Sequence, residues 1–130
     1  MCGIAGVIST KYHKDLEKSV LCMVNTLEHR GPDDTGVWSD AGLGISIGHR
    51  RLSVIDISAA GHQPMFSACG RYVIVFNGEI YNNLTLRAEI DKLSLSKTTR
   101  VDNIELRWKG HSDTETLLEC ISEWGIEKTL

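Results

Sequence analysis

The sequence predicts a layered fold of the α+β class, and three observations point to it. Residues 14–31 and 112–124 carry apolar side chains every three or four positions, which is the spacing of amphipathic helices. Residues 43–49 alternate apolar side chains at period two, as a half-buried strand does. An Asn-Gly pair divides the apolar run 72–82 into two strand-like halves, which is a hairpin signal. A chain that contains both hairpins and helices favours layers of sheet and helix packed on each other.

The N-terminal part predicts a strand, a helix and two further strands. Residues 3–9 are apolar and interrupted by glycine, as in a buried strand. The helix at 14–31 ends at a Gly-Pro pair, which stops helices, and strands follow at 43–49 and 51–57. The apolar face of the helix consists of Leu16, Val20, Met23, Val24 and Leu27.

The C-terminal part predicts a hairpin, two helices and one more strand. The last helix begins with a capping box, in which the Ser112 side chain and the Glu115 side chain each bond a backbone N–H of the first turn. The predicted elements are a hairpin about 77–78, a helix at 83–93, a polar loop at 94–103, a strand at 104–108 and a helix at 112–124.

Composition excludes several classes of function. A chain of 130 residues fits one domain, and its formal charge of −3 gives no reason to expect nucleic acid or an anionic membrane as partner. No apolar run approaches a membrane span, and the N-terminus lacks the pattern of a secretory signal. The four cysteines form no Cys-x-x-Cys pair, which suits the reducing cytoplasm. The five histidines lack metal-ligand spacing, so we expect no metal site.

Cys2 is the first candidate for chemistry, because it lies directly after the initiator methionine. Removal of Met1 would make the α-amine of Cys2 the chain terminus. An α-amine has a pKa of about 7.7–8, so much of it can be neutral near pH 7. A neutral amine beside a thiol supplies a nucleophile and a base in one residue. Taken alone, a cysteine at this position is more often incidental.

Three further positions could assist acyl transfer, although each has an ordinary structural explanation. Asn77 offers a side-chain NH₂ and Gly78 an approachable backbone N–H, which are donors suited to an oxyanion, yet Asn-Gly is also a common turn. Arg51 could clamp a carboxylate with two hydrogen bonds, or it could be a solvated surface residue. Asp113 lies in a predicted first helical turn, where the helix dipole stabilises a carboxylate anyway.

The order of six motifs along the chain is more specific than any one of them. From Met1 to about Trp124 the sequence contains, in order, MCGIAGV, HRGPDD, GHRRLSVID, GHQPM, VFNGEIYN and GHSDTE. This series resembles the glutaminase domain of class II glutamine amidotransferases, which are N-terminal-nucleophile hydrolases. Within that group it is most similar to glutamine-hydrolysing asparagine synthetases. The resemblance implies a four-layer sandwich of helix, sheet, sheet and helix.

The resemblance also implies which residues carry the reaction. Cys2 would be the nucleophile after loss of Met1, and its own amine would be the base, directly or through a water. Asn77 and Gly78 would form the oxyanion hole. The reaction implied is hydrolysis of L-glutamine to glutamate and ammonia through a thioester, with no cofactor and no metal.

Glutamine recognition is implied by the same comparison. Arg51 would hold the α-carboxylate of glutamine, while Asp113 and Glu79 would hold its α-ammonium. The loop at 29–33 would help to close the site. The remaining residues expected to line the glutamine pocket are Leu52, Ser53, Val54 and Ile55, together with Asn77 and Gly78.

Three departures from the family leave the wider role open. The strand that follows in the family is absent after Leu130, so residues 1–130 are expected to be an incomplete domain. The ATP-dependent synthetase domain, which would need ATP and Mg²⁺ and receive the ammonia, is likewise expected to lie outside residues 1–130. The stretch 94–109 is longer than in common asparagine synthetases and resembles members that amidate sugar acids in surface-polysaccharide synthesis. A catalytically inactive glutamine-binding module is a further alternative, and homodimer formation is open.

Overall fold

A three-stranded antiparallel sheet organises the N-terminal half of the computed structural model, which describes residues 1–10, 15–53, 58–96 and 108–130. Its strands are β1 (Gly3–Ile8), β2 (Asp34–Asp40) and β3 (Ile45–Arg51), in the order β1-β3-β2. Gly3 pairs with Arg50, and Asp34 pairs with Arg51 on the other side of β3. The central strand β3 therefore brings its last residues next to the start of both neighbours.

Strand β2 was not predicted from the sequence. Its residues include Gly36, Ser39 and two aspartates, which are uncommon in strands. The strand forms because β3 offers it a complete antiparallel partner along its whole length. Strand β3 extends to Arg51 rather than ending at residue 49. The separate strand predicted at 51–57 is wrong over its described part, because Leu52 and Ser53 belong to no strand. Residues 54–57 lie outside the described residues.

Helix α1 (Leu16–Thr26) packs across the sheet and is shorter than the predicted helix. Its buried side chains are Leu16, Val20 and Val24, as predicted, and a short 3₁₀ helix (Glu28–Arg30) follows it. Met23, however, is 43% exposed. At 3.6 residues per turn Met23 lies about 60° from Val20 around the axis, at the margin of the apolar stripe. The sheet can approach the helix closely because residue 48 of β3, opposite the two valines, is glycine.

The C-terminal half consists of a small sheet and three helices. Strands β4 (Met65–Phe66) and β5 (Val73–Ile74) pair antiparallel. Helix α2 (Asn83–Ser96) packs against α3 (Asp113–Trp124), which also contacts β4, and α4 (Ile126–Thr129) follows. Helix α3 forms the centre of this half, since every residue from Asp113 to Ile121 is buried. The helix predictions at 83–93 and 112–124 are confirmed, and the strand at 104–108 falls almost entirely outside the described residues.

The predicted hairpin about Asn77-Gly78 is wrong. Strand β5 pairs with β4, and the described residues 75–80 belong to neither a helix nor a strand. Side chains take the hydrogen-bonding positions that a partner strand would occupy. The Phe76 N–H donates to Gln63 Oε1 at 2.6 Å, and the Ile80 N–H donates to Asp113 Oδ2 at 2.9 Å. Backbone groups satisfied in this way do not need a ladder.

The predicted capping box at the start of α3 forms only in part. Ser112 Oγ accepts a hydrogen bond from the Thr114 N–H at 3.2 Å, so the N-cap is present. Glu115 does not complete the box, because its carboxylate accepts from the Lys109 and Gly110 N–H groups and pairs with Arg87 Nη2 at 3.1 Å. The glutamate thus ties α3 to α2 and to the preceding loop.

The described elements agree with the α+β class that the sequence predicts, with helices against both sheets. The contacts that join the halves include two between side chains. His62 Nδ1 lies 2.7 Å from Asp34 Oδ2, and the Trp38 ring meets Phe66 edge-on at 6.3 Å between centroids. None of the helices that the structure describes is long and apolar enough to cross a membrane.

Candidate active site

A cavity of about 440 Å³ lies where the two halves of the chain meet. The N-terminal half contributes the start of β1 and the end of β3, and the C-terminal half contributes residues 76–79 and the start of α3. The volume falls within the range of about 300–1,000 Å³ that small-molecule sites occupy. The lining residues are Met1, Cys2, His49, Arg51, Leu52, Gly61, Gln63, Phe76, Asn77, Gly78, Glu79, Ser112, Asp113 and Thr114.

The Cys2 thiol is held at the wall of this cavity despite its position near the chain terminus. Its Sγ accepts a hydrogen bond from the Leu52 N–H at 3.3 Å and lies 3.7 Å from the Leu52 carbonyl oxygen. Arg30 Nε donates to the Cys2 carbonyl oxygen at 3.3 Å. Met1, by contrast, is 79% exposed. The thiol is therefore fixed, while the residue before it makes little packing contact.

Arg51 places a buried guanidinium on the cavity wall. It is the last residue of β3 and only 8% exposed, which excludes the solvated surface arginine that the sequence left open. Its Nη1 donates to the Ser58 carbonyl oxygen at 2.9 Å. Gly61 lies directly against the guanidinium, where a Cβ atom would collide with Nη2. These neighbours determine the orientation of a group that can bind a carboxylate with two parallel hydrogen bonds.

Asp113 faces the cavity from the first turn of α3 and is 5% exposed. Besides its position at the helix N-terminus, its Oδ2 accepts from the Ile80 N–H. Asn77, Gly78 and Glu79 line the cavity on the segment that this bond anchors, and all three are exposed. The structure thus brings a thiol, a guanidinium, two donors and two carboxylates around a single space.

Some of the predicted pocket residues lie elsewhere. Leu52 lines the cavity, but Ser53 does not, and the Ser53 N–H donates to Asp33 Oδ2 at 2.7 Å. Val54 and Ile55 lie outside the described residues. The loop at 29–33 does not line the cavity, but it contacts the residues beside it. Arg30 donates to the Cys2 carbonyl oxygen, and Asp33 accepts from the Ser53 N–H. In the described part of the chain, no group of three or more His, Cys, Asp or Glu side chains is placed to hold a metal ion.

Sequence reasoning assigned no role to two residues of the cavity. His49 is 1% exposed, and its Nε2 has no hydrogen-bond partner. Burial lowers the pKa of His49, which favours the neutral form of the ring. Gln63 is 7% exposed and bonds both Phe76 and Thr114. The motifs GHRR and GHQPM contained both residues, but nothing in their spacing indicated what they would contact.

Comparison with known proteins gives a match over the whole chain. The chain matches a family described as the glutamine amidotransferase domain over residues 1–130. The chain belongs to the glutamine amidotransferase domain family. Its similarity to the family therefore includes both halves of the cavity, from Cys2 through the end of α3.

Relatives of this amidotransferase domain are named as asparagine synthetases. The chain is 40% identical over 134 residues to asparagine synthetase [glutamine-hydrolyzing] 3 of Bacillus subtilis. The matched region covers 95% of the chain and 18% of that relative. It is 41% identical over 129 residues to asparagine synthetase B of Escherichia coli, and this match covers 98% of the chain and 20% of the relative. A putative asparagine synthetase of Methanocaldococcus jannaschii is 32% identical over 144 residues, with coverage of 98% and 25%. The chain thus spans about a fifth to a quarter of the length of these relatives.

Proposed function

We propose that this domain hydrolyses L-glutamine to glutamate and ammonia through a thioester on Cys2. The observation that carries the proposal is the convergence on one cavity of the Cys2 thiol, the buried Arg51 guanidinium, the Asn77–Gly78 segment and the Asp113 carboxylate. Each group was a weak signal by itself. Together they supply a nucleophile, an oxyanion site and charges of both signs for a free amino acid.

The reaction begins after removal of Met1. The free α-amine of Cys2 takes the thiol proton, directly or through a water, and the sulfur attacks the carboxamide carbon of glutamine. The Asn77 side-chain N–H and the Gly78 backbone N–H donate to the oxyanion that forms. The amine returns its proton to the leaving nitrogen, and ammonia departs as the thioester forms. Water then attacks the thioester, which releases glutamate and restores the thiol.

Substrate recognition in this proposal depends on charge. The Arg51 guanidinium binds the α-carboxylate of glutamine, and Asp113 with Glu79 binds the α-ammonium. Leu52, which lines the cavity next to Arg51, contributes to the pocket wall. A site with a cation for the carboxylate and two anions for the ammonium selects a free α-amino acid over a glutamine within a peptide.

The longer protein that such a domain serves is also part of the proposal. The names of the relatives favour an asparagine-synthetase-type ligase, in which a synthetase domain uses ATP and Mg²⁺ and consumes the ammonia. Amidation of a sugar acid is the alternative acceptor reaction. We further propose that residues 1–130 are one part of a four-layer N-terminal-nucleophile sandwich that works in the cytoplasm.

The test compares the parent chain with Cys2→Ala and with Cys22→Ala, an exposed cysteine on α1 that serves as control. We expect the parent and Cys22→Ala to release glutamate and ammonia at the same rate, with one ammonia for each glutamate. We expect Cys2→Ala to release neither product. Intact mass should show loss of Met1 and one adduct with a diazo-ketone analogue of glutamine, mapped to Cys2 by peptide digestion.

Other outcomes would contradict the mechanism. Glutamate release by Cys2→Ala at the rate of the parent would remove the thiol from the reaction. Glutamine binding without any turnover, in a chain shown to have lost Met1, would instead favour the inactive binding module.

A further inference from the structure

We propose that Gln63 is a positioning residue that sets the orientation of Asn77 and Gly78, and this inference rests on the function proposed above. Gln63 belongs to the GHQPM motif and precedes β4. Its side chain is buried in the cavity wall, 7% exposed, between the Asn77–Gly78 segment and helix α3. A buried amide must satisfy its hydrogen-bonding groups within the protein, so its partners indicate its role.

Both ends of the Gln63 amide are used. Its Oε1 accepts from the Phe76 N–H at 2.6 Å, and its Nε2 donates to Thr114 Oγ1 at 3.3 Å. One side chain therefore joins the residue before Asn77 to the second residue of α3. The uncharged amide of glutamine supplies the acceptor and the donor that this connection needs on one side chain.

The segment from 75 to 80 depends on such contacts because it belongs to no strand. Phe76 is bonded to Gln63 on one side of Asn77–Gly78, and Ile80 is bonded to Asp113 on the other. Both bonds lead to the first turn of α3, one through Thr114 and one directly. The two oxyanion donors are thus held between two side-chain anchors fixed to the same rigid helix.

His49 lines the cavity from the opposite half of the molecule, on β3. It is buried, and burial lowers the pKa of its ring, which favours the neutral form. Gln63 does not need to touch the reacting carboxamide to act as a positioning residue.

The consequence for catalysis is a selective effect on the transition state. Oxyanion donors act on charge that develops only during attack, so a change in their orientation lowers kcat more than it alters KM. Misplacement by about 1 Å can cost about 10²-fold in rate. Methionine has nearly the length of glutamine without either hydrogen bond, so Gln63→Met removes the bonds to Phe76 and to Thr114 at little cost in volume.

We expect Gln63→Met to lower kcat for glutamine hydrolysis by about 10–100-fold, with a change in KM of less than about threefold. Asn77→Ala sets the scale, because loss of one oxyanion donor costs about 10²–10³ in kcat. In the Asn77→Ala background, Gln63→Met should cost less than in the parent, since one of the donors that it orients is already absent. Hydrogen exchange at the Phe76 amide should also accelerate in Gln63→Met.

The matched control is Thr116→Val. Thr116 lies two positions from Thr114 on the same helix and is 1% exposed. Its hydroxyl has no hydrogen-bond partner among the described residues, so the substitution removes no hydrogen bond seen there. It should leave kcat within about twofold of the parent. If Gln63→Met does not fold, as judged by circular dichroism, Thr114→Val tests the network from its other end. That variant removes only the partner of Nε2 and should lower kcat by about 3–10-fold.

The outcomes separate this inference from the proposed function. An active parent with Gln63→Met within twofold of its kcat overturns the positioning role alone. So does a cost of Gln63→Met that is the same with and without Asn77, or a loss that equals the loss of folded protein. A parent chain without Met1 that releases no glutamate overturns the proposed function, and this inference fails with it.

Discussion

At the scale of single residues, the cysteines show how far environment separates identical side chains. Cys2 rests against the backbone of Leu52 at the cavity wall. Cys69 is exposed and accepts or donates hydrogen bonds with Ser122 and Ser67, at 3.0 and 3.3 Å. Cys120 is fully buried in α3. The sequence singled out Cys2 by its place after Met1, but it did not show what surrounds any of the four thiols.

Cys69 is predicted to be the most reactive surface thiol. Its hydrogen bonds with Ser122, Ser67 and Arg71 lower its pKa to about 6, because they favour the thiolate. A thiol with this pKa is mostly ionised at pH 7, so its alkylation by iodoacetamide should rise with pH about a midpoint near 6. Burial raises the pKa of Cys120 to about 11, so Cys120 should resist alkylation in the folded protein.

The control for that measurement is Ser122→Ala. The hydrogen bond with Ser122 lowers the pKa of Cys69 more than any other contact, so its loss raises that pKa. The thiolate fraction then falls, and alkylation at pH 7 slows. Site-resolved mass spectrometry at several pH values would decide the matter. A midpoint near 8–9 for Cys69 in the parent would contradict the prediction.

At the scale of elements, close packing between α1 and β3 depends on one small residue. A Cβ atom at position 48 would lie 2.7 Å from Val24 Cγ1 and 2.8 Å from Val20 Cγ1, and both valines are fully buried. Helix and sheet would have to separate to accept it. The amphipathic pattern of α1 was visible in the sequence, but the partner surface that required a glycine was not.

Gly48→Ala is therefore expected to lower the free energy of unfolding by about 1–3 kcal/mol through overpacking. Gly42→Ala is the matched control, because a Cβ there meets only Asp40 Oδ1, at 3.2 Å. Urea unfolding of both variants measures the difference. Equal stability of the two variants would show that the helix can shift at no cost.

The segment about Asn77 is the clearest difference between prediction and structure at this scale. Asn-Gly within an apolar run is a good hairpin signal, because local turn chemistry determines most short hairpins. Here hydrogen bonds to Gln63 and Asp113 replace the cross-strand bonds. These two side chains lie 13 and 33 positions along the chain from the N–H groups that donate to them. Such distant contacts leave no local trace. Because of these contacts, residues 76–79 line the cavity instead of forming a hairpin turn.

At the scale of the whole molecule, the site exists only where two halves of the chain meet. Cys2 and Arg51 come from the three-strand half, and Asn77 and Asp113 come from the half built on α3. Neither half contains a complete set of groups for amide hydrolysis. The proposed chemistry uses these four side chains, the Gly78 N–H, the Glu79 carboxylate and the α-amine of Cys2.

Glutamine hydrolysis by the chain should accordingly be independent of ATP and of divalent metal. We expect the rate of glutamate release to change by less than about twofold on adding ATP with Mg²⁺ or excess EDTA, since thioester chemistry needs neither. A coupled assay for glutamate before and after exhaustive chelation measures this. A rate that collapses with EDTA and returns with one added metal would contradict the prediction.

The amino-acid sequence by itself was sufficient for the α+β class, for three of the helices, and for the chemical candidates Cys2, Arg51, Asn77 and Asp113. These depend on periodicity, on residue type and on motif order, all of which are local in the chain. The tertiary structure decided which of these groups share a cavity, that Arg51 is buried and that residues 75–80 form no hairpin. It also decided the burial of His49 and the hydrogen bonds of Gln63, because contacts between residues distant in sequence depend on the packing of the two halves, which no local pattern records.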